Sequence, residues 1–326
     1  MKVLKSVDYW TRTQRKLRMI LNSLDKDSWN PTFVAPISSG HFAEGRLLVK
    51  SITTFYPDSK IVIYDIGITE EHIEEIKTWC NVLYRKFKFG QYPPHVRRLS
   101  SYAFKMINVE AFQEFKTFFY IDTSIRFTGK NLHIFLQGVK NKDLLPFSIH
   151  TDPKHSVYAS TDPRMYEYLP LPKIIGYMFE FQSGFQFVTD SPYTRYIFKW
   201  WYLCAMTENC VAPVGAISHC KPKEYRETRY TYMKCHRFDQ AFYNIAELTY
   251  LFGETRGALE FNYIDRNWTN IDLDLVLKVE DTRNRTMQKY FNTIRIDRFS
   301  RMRNRLVLKC KNEQSNIQCD TYRIRD

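Results

Sequence analysis

The sequence predicts an α/β fold, a mostly parallel central sheet flanked by helices on both faces. Three observations predict it. Short apolar runs of strand length end at turn residues, at 32–37, 60–64 and 117–121. Between them lie segments of about a dozen residues with apolar positions at helical spacing. Each run also hands over to small or acidic polar residues: Ser38-Ser39-Gly40-His41, Asp65-Ile66-Gly67 and Asp122-Thr123-Ser124. Ligands of parallel sheets bind beyond such carboxyl ends.

Taken in order, residues 1–30 read as a basic amphipathic helix stopped by Asn30-Pro31. The strand at 32–37 is followed by a helix at 42–55 (Phe42, Leu47, Leu48, Ile52, Phe55) that Pro57-Asp58 ends. After the strand at 60–64 comes a helix at 70–80 with acidic residues in its first turns, where the dipole favours them. Residues 82–87 alternate as a strand, 103–115 read as a helix, and 117–121 form the third buried strand. Strands are expected at 144–150 and 184–189. A helix at 192–208 has Ser191 as N-cap and Pro192 in its first turn. Another helix occupies 238–251, and the alternation at 305–309 suggests an added strand or flap.

The chain has 326 residues, 44% hydrophobic and 16% aromatic, enough for a large core and against disorder. Its 22 Tyr and 24 Phe are read as packing. The charge of +13 favours anionic partners, phosphates and nucleotides included. The basic residues are spread out, in modest clusters such as Arg12 to Lys16 and Arg298 to Arg305, and no nucleic-acid-binding signature is present, so no nucleic-acid partner is expected. No apolar run is long enough to span a bilayer, so no transmembrane segment is expected in this chain. Six cysteines cluster in the second half, leaving Cys80 alone, a grouping that suits three disulfides and one free thiol. Two sequons, at Asn267 and Asn284, lean the same way. The expected compartment is the Golgi or secretory lumen, with an N-terminal anchor missing from this chain; a cytoplasmic enzyme is the alternative.

For chemistry, the run Phe118-Phe119-Tyr120-Ile121-Asp122 delivers a carboxylate from a buried strand to its exposed end. That is a way to hold a hard cation by oxygen, and the cation in turn a diphosphate. A turn-capping Asp is the plainer reading of Asp122 alone. Asp239, at a helix N-terminus, is the second candidate catalytic carboxylate, with an inert N-cap as its plainer reading. Gly-x-Ser-x-Gly, dinucleotide-binding and P-loop signatures are all missing, which removes common rivals for an α/β sheet.

The series Phe33-Val34-Ala35-Pro36-Ile37-Ser38-Ser39, a helix with Lys50-Ser51-Ile52, and Lys60-Ile61-Val62-Ile63-Tyr64-Asp65 resembles the opening of glycosyltransferases of the GT-A fold. Tyr120-Ile121-Asp122-Thr123-Ser124 stands where they carry Asp-x-Asp. Phe181-Gln182-Ser183-Gly184-Phe185 resembles their Asn-Ser-Gly strand, and Asp239-Gln240 with Asn244 their Asp-Gln-x-x-x-Asn helix start, as in glycogenin-like and related galactosyltransferases. With Tyr92-Pro93-Pro94-His95-Val96 and Cys235-His236-Arg237-Phe238-Asp239-Gln240 added, the chain is similar to an invertebrate family of nucleotide-diphospho-sugar transferases.

The resemblance spans roughly residues 32–255. It implies a basic stem at 1–30, a transferase domain at 31–260 and a C-terminal extension at 261–326. The implied activity is transfer of a hexose from a nucleoside diphosphate sugar, UDP first, to a hydroxyl of a glycan or glycoprotein; a non-catalytic glycan- or polyanion-binding module is the alternative. Asp239 and Asp122 are the implied catalytic residues. Ser38, Ser39, His41, Asp65, Arg97, Lys105, Ser124, Arg126, Gln182, Ser183, Gly184 and Gln240 are the implied donor contacts. Asp122 and Ser124 would hold Mn²⁺ or Mg²⁺. One departure matters: Ser124 replaces the motif's second acid, and no His-x-x-Gly-x-x-Lys motif supplies a further ligand. A hydroxyl adds no charge, so metal binding is expected to be weaker, or replaced by basic side chains such as Arg97, Arg98, Lys105 and Arg126.

Overall fold

A computed structural model describes residues 30–141, 143–149, 154–220, 227–254, 273–291, 296–298, 306–311 and 318–323. The expected helix at 1–30 and the sequon at Asn267 lie outside these residues, as does nearly all of the Arg298–Arg305 cluster.

Six strands form the central sheet: β1 (Phe33–Ile37), β2 (Ile61–Asp65), β3 (Val82–Lys86), β4 (Thr117–Ile121), β6 (Phe147–Ile149) and β7 (Phe185–Thr189). Their order is β3-β2-β1-β4-β7-β6. The first four are parallel; β7 runs antiparallel to β4 and β6 antiparallel to β7. The expected α/β class, with a mostly parallel sheet flanked by helices, is therefore what the chain adopts. Its expected strand at 144–150 shortens to three residues. Strand β5 (Ile125–Phe127) pairs with β8 (Ile296–Arg298), and β9 (Leu306–Lys311) with β10 (Gln318–Arg323), in two small antiparallel sheets.

The long helices are α1 (Phe42–Phe55), α2 (Glu70–Lys77), α3 (Ile107–Phe115), α4 (His133–Lys140), α5 (Pro192–Ala205), α6 (Phe238–Glu254) and α7 (Leu273–Phe291). Ser191 caps α5 by accepting from the Thr194 amide at 3.0 Å, as its sequence position predicts. Helix α2 stops at Lys77, one turn before the expected end, and the expected helix at 103–115 opens as a 3-10 turn, Ala103–Met106.

Side chains alternate across each strand, so the sheet has two apolar faces. Phe33, Ala35, Ile37, Phe119, Ile121, Phe185 and Phe187 face α1 and α4. Their rings pack at centroid distances of 5.1–6.0 Å, Phe119 against Phe33, Phe135 and Phe187, so these aromatics are core. Val34, Phe118, Tyr120 and Val188 face the other way, under α3, α5 and α6. Burying each such ring contributes about 2–3 kcal/mol.

Disulfides join Cys204 to Cys210 and Cys220 to Cys235. Cys80, expected to be the odd thiol, is itself disulfide-bonded. Choosing the odd cysteine by sequence clustering failed because disulfides follow proximity in space, not along the chain. No helix among the described residues is long and apolar enough to cross a membrane.

Candidate functional site

Residues 118, 120 and 122 continue one alternation, so Asp122 emerges at the end of β4 on the face covered by α3 and α6. The turn that follows is held from several sides. The Asp122 amide donates to Gly184 O at 2.8 Å and the Ile125 amide to Asp122 O at 3.1 Å. Tyr120 donates its hydroxyl to Asp122 Oδ1 at 3.0 Å. Arg126 is buried, with Nη1 donating to the carbonyls of Thr123 and Ile125, and burial lowers its pKa. It fastens the turn's backbone. Gly184 leaves room for the Asp122 carboxylate, since a Cβ there would sit 2.8 Å from Asp122 Oδ2 and push it aside.

Lys105 reaches this point from the 3-10 turn, which the chain enters through Tyr102 at φ 57°, a left-handed conformation. Its side chain is 2% exposed. Nζ lies 2.7 Å from Asp239 Oδ2 and 3.5 Å from Asp122 Oδ1, and donates to Ser183 O at 3.2 Å and Ser183 Oγ at 3.4 Å. It also sits 5.2 Å from the ring centre of Tyr120 and 5.8 Å from that of Tyr102. Burial opposes its charge, but Asp122 and Asp239 more than offset that, and the pKa is raised. Asp239, in the first turn of α6, also accepts from Ser183 Oγ.

These groups line a cavity of about 90 Å³ together with Tyr102, Gln182, Gly184, Ser218, Arg237, Phe238 and Gln240. Behind it, Gln240 Nε2 donates to Glu180 Oε1 at 2.5 Å, and His155 Nδ1 lies 2.7 Å from the same oxygen. Asn244 clamps the extended segment leading to Ser183, exchanging bonds of 2.7 and 2.8 Å with the Phe181 amide and carbonyl. Arg283 of α7 stacks over the Phe181 ring at 3.7 Å and donates to Asn244 Oδ1 at 3.0 Å.

The other candidate residues lie as follows. Thr123 Oγ1 donates to Glu44 Oε2 at 3.2 Å, and His41 Nδ1 lies 3.0 Å from that same oxygen. The end of β1 is thus tied to the turn after β4, at the point where strand order reverses. Ser38 is half-buried, as is Ser124, and Ser39 Oγ donates to Gly67 O at 2.9 Å. Asp65 accepts from the Gly67 and Ile68 amides at 2.7 and 2.9 Å and from Tyr84 Oη at 2.8 Å, so its carboxylate caps a turn. Arg97 is exposed, and Arg98 pairs with Glu208 at 2.8 Å. Arg237, Tyr102, Phe238 and Ser218 line the cavity although the motifs did not single out their side chains. Arg237 and Phe238 carried a signal, standing in the run that leads to Asp239.

Among the described residues no three His, Cys, Asp or Glu side chains are grouped to hold a metal ion. Ser124 supplies only a hydroxyl, and the two carboxylates are already bridged by an ammonium.

His236 is core, 0% exposed, with Nδ1 accepting from the Asp162 amide at 3.2 Å and Nε2 donating to Val211 O at 3.0 Å. Burial pulls its pKa from 6.5 down to about 4. Between those values the unfolded chain binds a proton that the folded one refuses, so stability is full above 6.5 and falls as pH drops toward 4. The expected loss is about 3 kcal/mol. His236→Gln, which keeps a donor but does not titrate, is expected to flatten it. Urea midpoints near neutral pH and near pH 4.5 check this; equal losses in both proteins would assign the effect to other groups.

A family described as "Protein of unknown function (DUF1647)" matches residues 1–109. No curated protein matches the chain. Solved structures similar to it include galactosyltransferase LgtC in complex with donor and acceptor sugar analogues, at 15% identity over 70% of this chain and 100% of that one, TM-score 0.36. Core-mannan synthase A of Aspergillus fumigatus, in a Mn/GDP form, is 9% identical over 67% and 69%, TM-score 0.40. Mouse xyloside xylosyltransferase 1 is 11% identical over 83% and 98%, TM-score 0.41. At such identities and scores these enzymes say nothing of what this site does; its chemistry has to come from the residues at the strand ends.

Proposed function

We propose that the protein is a glycosyltransferase that moves a hexose from a nucleoside diphosphate sugar, a UDP sugar first, to a hydroxyl of a glycan or glycoprotein. One observation carries the reading: an ammonium held between two carboxylates, walled by a serine hydroxyl and two carboxamides, where strand order reverses. A nucleotide sugar suits that mixture. Its hydroxyls suit Asp239, Gln182 and Gln240, and its diphosphate suits Lys105 and Arg237. In transfer, the acceptor oxygen bonds to the sugar's anomeric carbon as that carbon's bond to the diphosphate breaks. The acceptor proton passes to a neighbouring carboxylate or phosphate oxygen. Lys105 meets the charge gathering on the diphosphate. Asp122 and Tyr120 hold that lysine, and Asp239 orients the sugar. On this reading the nucleotide extends toward Ser38, Ser39, His41 and Ser124, at the carboxyl ends of β1 and β4.

The disulfides suit an oxidising compartment, and we place the enzyme in the secretory lumen. The serine at position 124 favours a second reading, a non-catalytic glycan-binding module. Incubation with UDP- and GDP-hexoses, and with a CMP-sugar as a monophosphate control, tests the first. Release of the nucleoside diphosphate above the protein-free rate is expected from one of the first two, rising with an acceptor; release from neither would sink it.

A further inference from the structure

Lys105 is surrounded as a metal ion would be. Four oxygens face its nitrogen: Asp239 Oδ2, Asp122 Oδ1, Ser183 O and Ser183 Oγ, at 2.7, 3.5, 3.2 and 3.4 Å. Carboxylate, carbonyl and hydroxyl oxygens are the ligand types of hard divalent cations. The spacing is not a metal's, since Mg²⁺ and Ca²⁺ sit about 2.0–2.6 Å from such oxygens. It is the spacing of an ammonium: its three N–H groups bond Asp239 and, at greater length, the two Ser183 oxygens, while Asp122 at 3.5 Å is an ion-pair partner. The second acid that would pull a metal to Asp122 is Ser124, half-buried and uncharged.

We propose that the ammonium of Lys105 is the resident cation of this site. It fills the oxygen cage between Asp122, Asp239 and Ser183 that a divalent metal would otherwise take. The site therefore works without a metal, and becomes a metal site when the lysine is removed. For the diphosphate's charge the proposal rests on the nucleotide-sugar reading; for the cage it does not. Removing the lysine leaves two carboxylates facing one void, an arrangement that only a proton or a new cation relieves.

The test is Mn²⁺ titration, read by thermal unfolding and calorimetry without any sugar nucleotide. Wild type is expected to show no shift. Lys105→Ala is expected to gain saturable Mn²⁺ binding, at least tenfold tighter than wild type, and to lose it again in Lys105→Ala/Asp239→Asn. Saturable stabilisation of wild type that Asp122→Asn removes would overturn the proposal, as would a folded Lys105→Ala with no gain. Should Lys105→Ala fail to fold, UDP affinity of wild type in EDTA and in Mn²⁺ decides. Values within threefold are expected; a tenfold gain with Mn²⁺ overturns the resident lysine while leaving the nucleotide-sugar reading intact. UDP binding in neither condition counts against that reading, and the wild-type Mn²⁺ titration then decides the cage.

Discussion

Replacing Asp122 by Asn is expected to lower turnover by about 10²–10³-fold while the protein stays folded. Asn keeps the side chain's shape and an oxygen for the Tyr120 hydroxyl, so the turn fastened by Gly184 O and Arg126 stays built. What it loses is charge. Lys105 then leans on Asp239 alone, and its ammonium shifts away from the point where the diphosphate's charge develops. A displacement of that kind costs rate more than binding, so kcat is expected to fall with KM nearly unchanged. A glycan-binding module predicts the opposite pattern, with glycan affinity kept and no turnover in either protein. Steady-state kinetics beside glycan titrations separate the two; an Asp122→Asn protein with wild-type turnover would remove Asp122 from the chemistry.

Asp239→Asn should be costly in a different way. Its carboxylate is 4% exposed and pairs with a lysine that is 2% exposed. Taking one partner from a buried pair leaves the other charge inside without full compensation, a loss of about 3 kcal/mol. Turnover is expected to fall about 10²-fold or more with it, because Asp239 also accepts from Ser183 and faces the cavity. An Asp that only capped α6 would behave otherwise, since Asn caps helices as well as Asp does. Urea unfolding reports this through the midpoint at constant slope. A midpoint equal to that of wild type would return Asp239 to the role of a cap.

The strands β1, β2 and β4 were legible because each is an unbroken apolar run ended by turn residues, and Ser191 announced α5. Other elements carried no such signal. Strand β5 has three residues and pairs with β8 some 170 positions away, a contact no local pattern encodes. Helix α7 falls in the C-terminal extension, where the sequence offered no element before 305–309. In the site, Asp122 and Asp239 stood out by position, but their meeting depends on Lys105, which the sequence offered as one of several basic candidates. A lysine set among Ala103, Phe104, Met106 and Ile107 does carry a burial signal, since an apolar segment draws it inside. The left-handed Tyr102 that turns it toward the carboxylates does not. Arg126 shows the reverse case, a basic residue beside the motif that binds the turn's own carbonyls.

The most direct measurement is calorimetric titration of the wild-type protein with UDP-, GDP- and CMP-sugars, repeated with Asp122→Asn and Asp239→Asn. One of the two diphosphate donor classes, UDP or GDP, is expected to bind saturably at one site and to lose affinity in Asp239→Asn, whose side chain would touch its sugar; the CMP-sugar, with one phosphate, is expected to bind weakly or not at all. A protein that binds none of them, or binds one equally well in both variants, would contradict a nucleotide-sugar site at Lys105, Asp122 and Asp239.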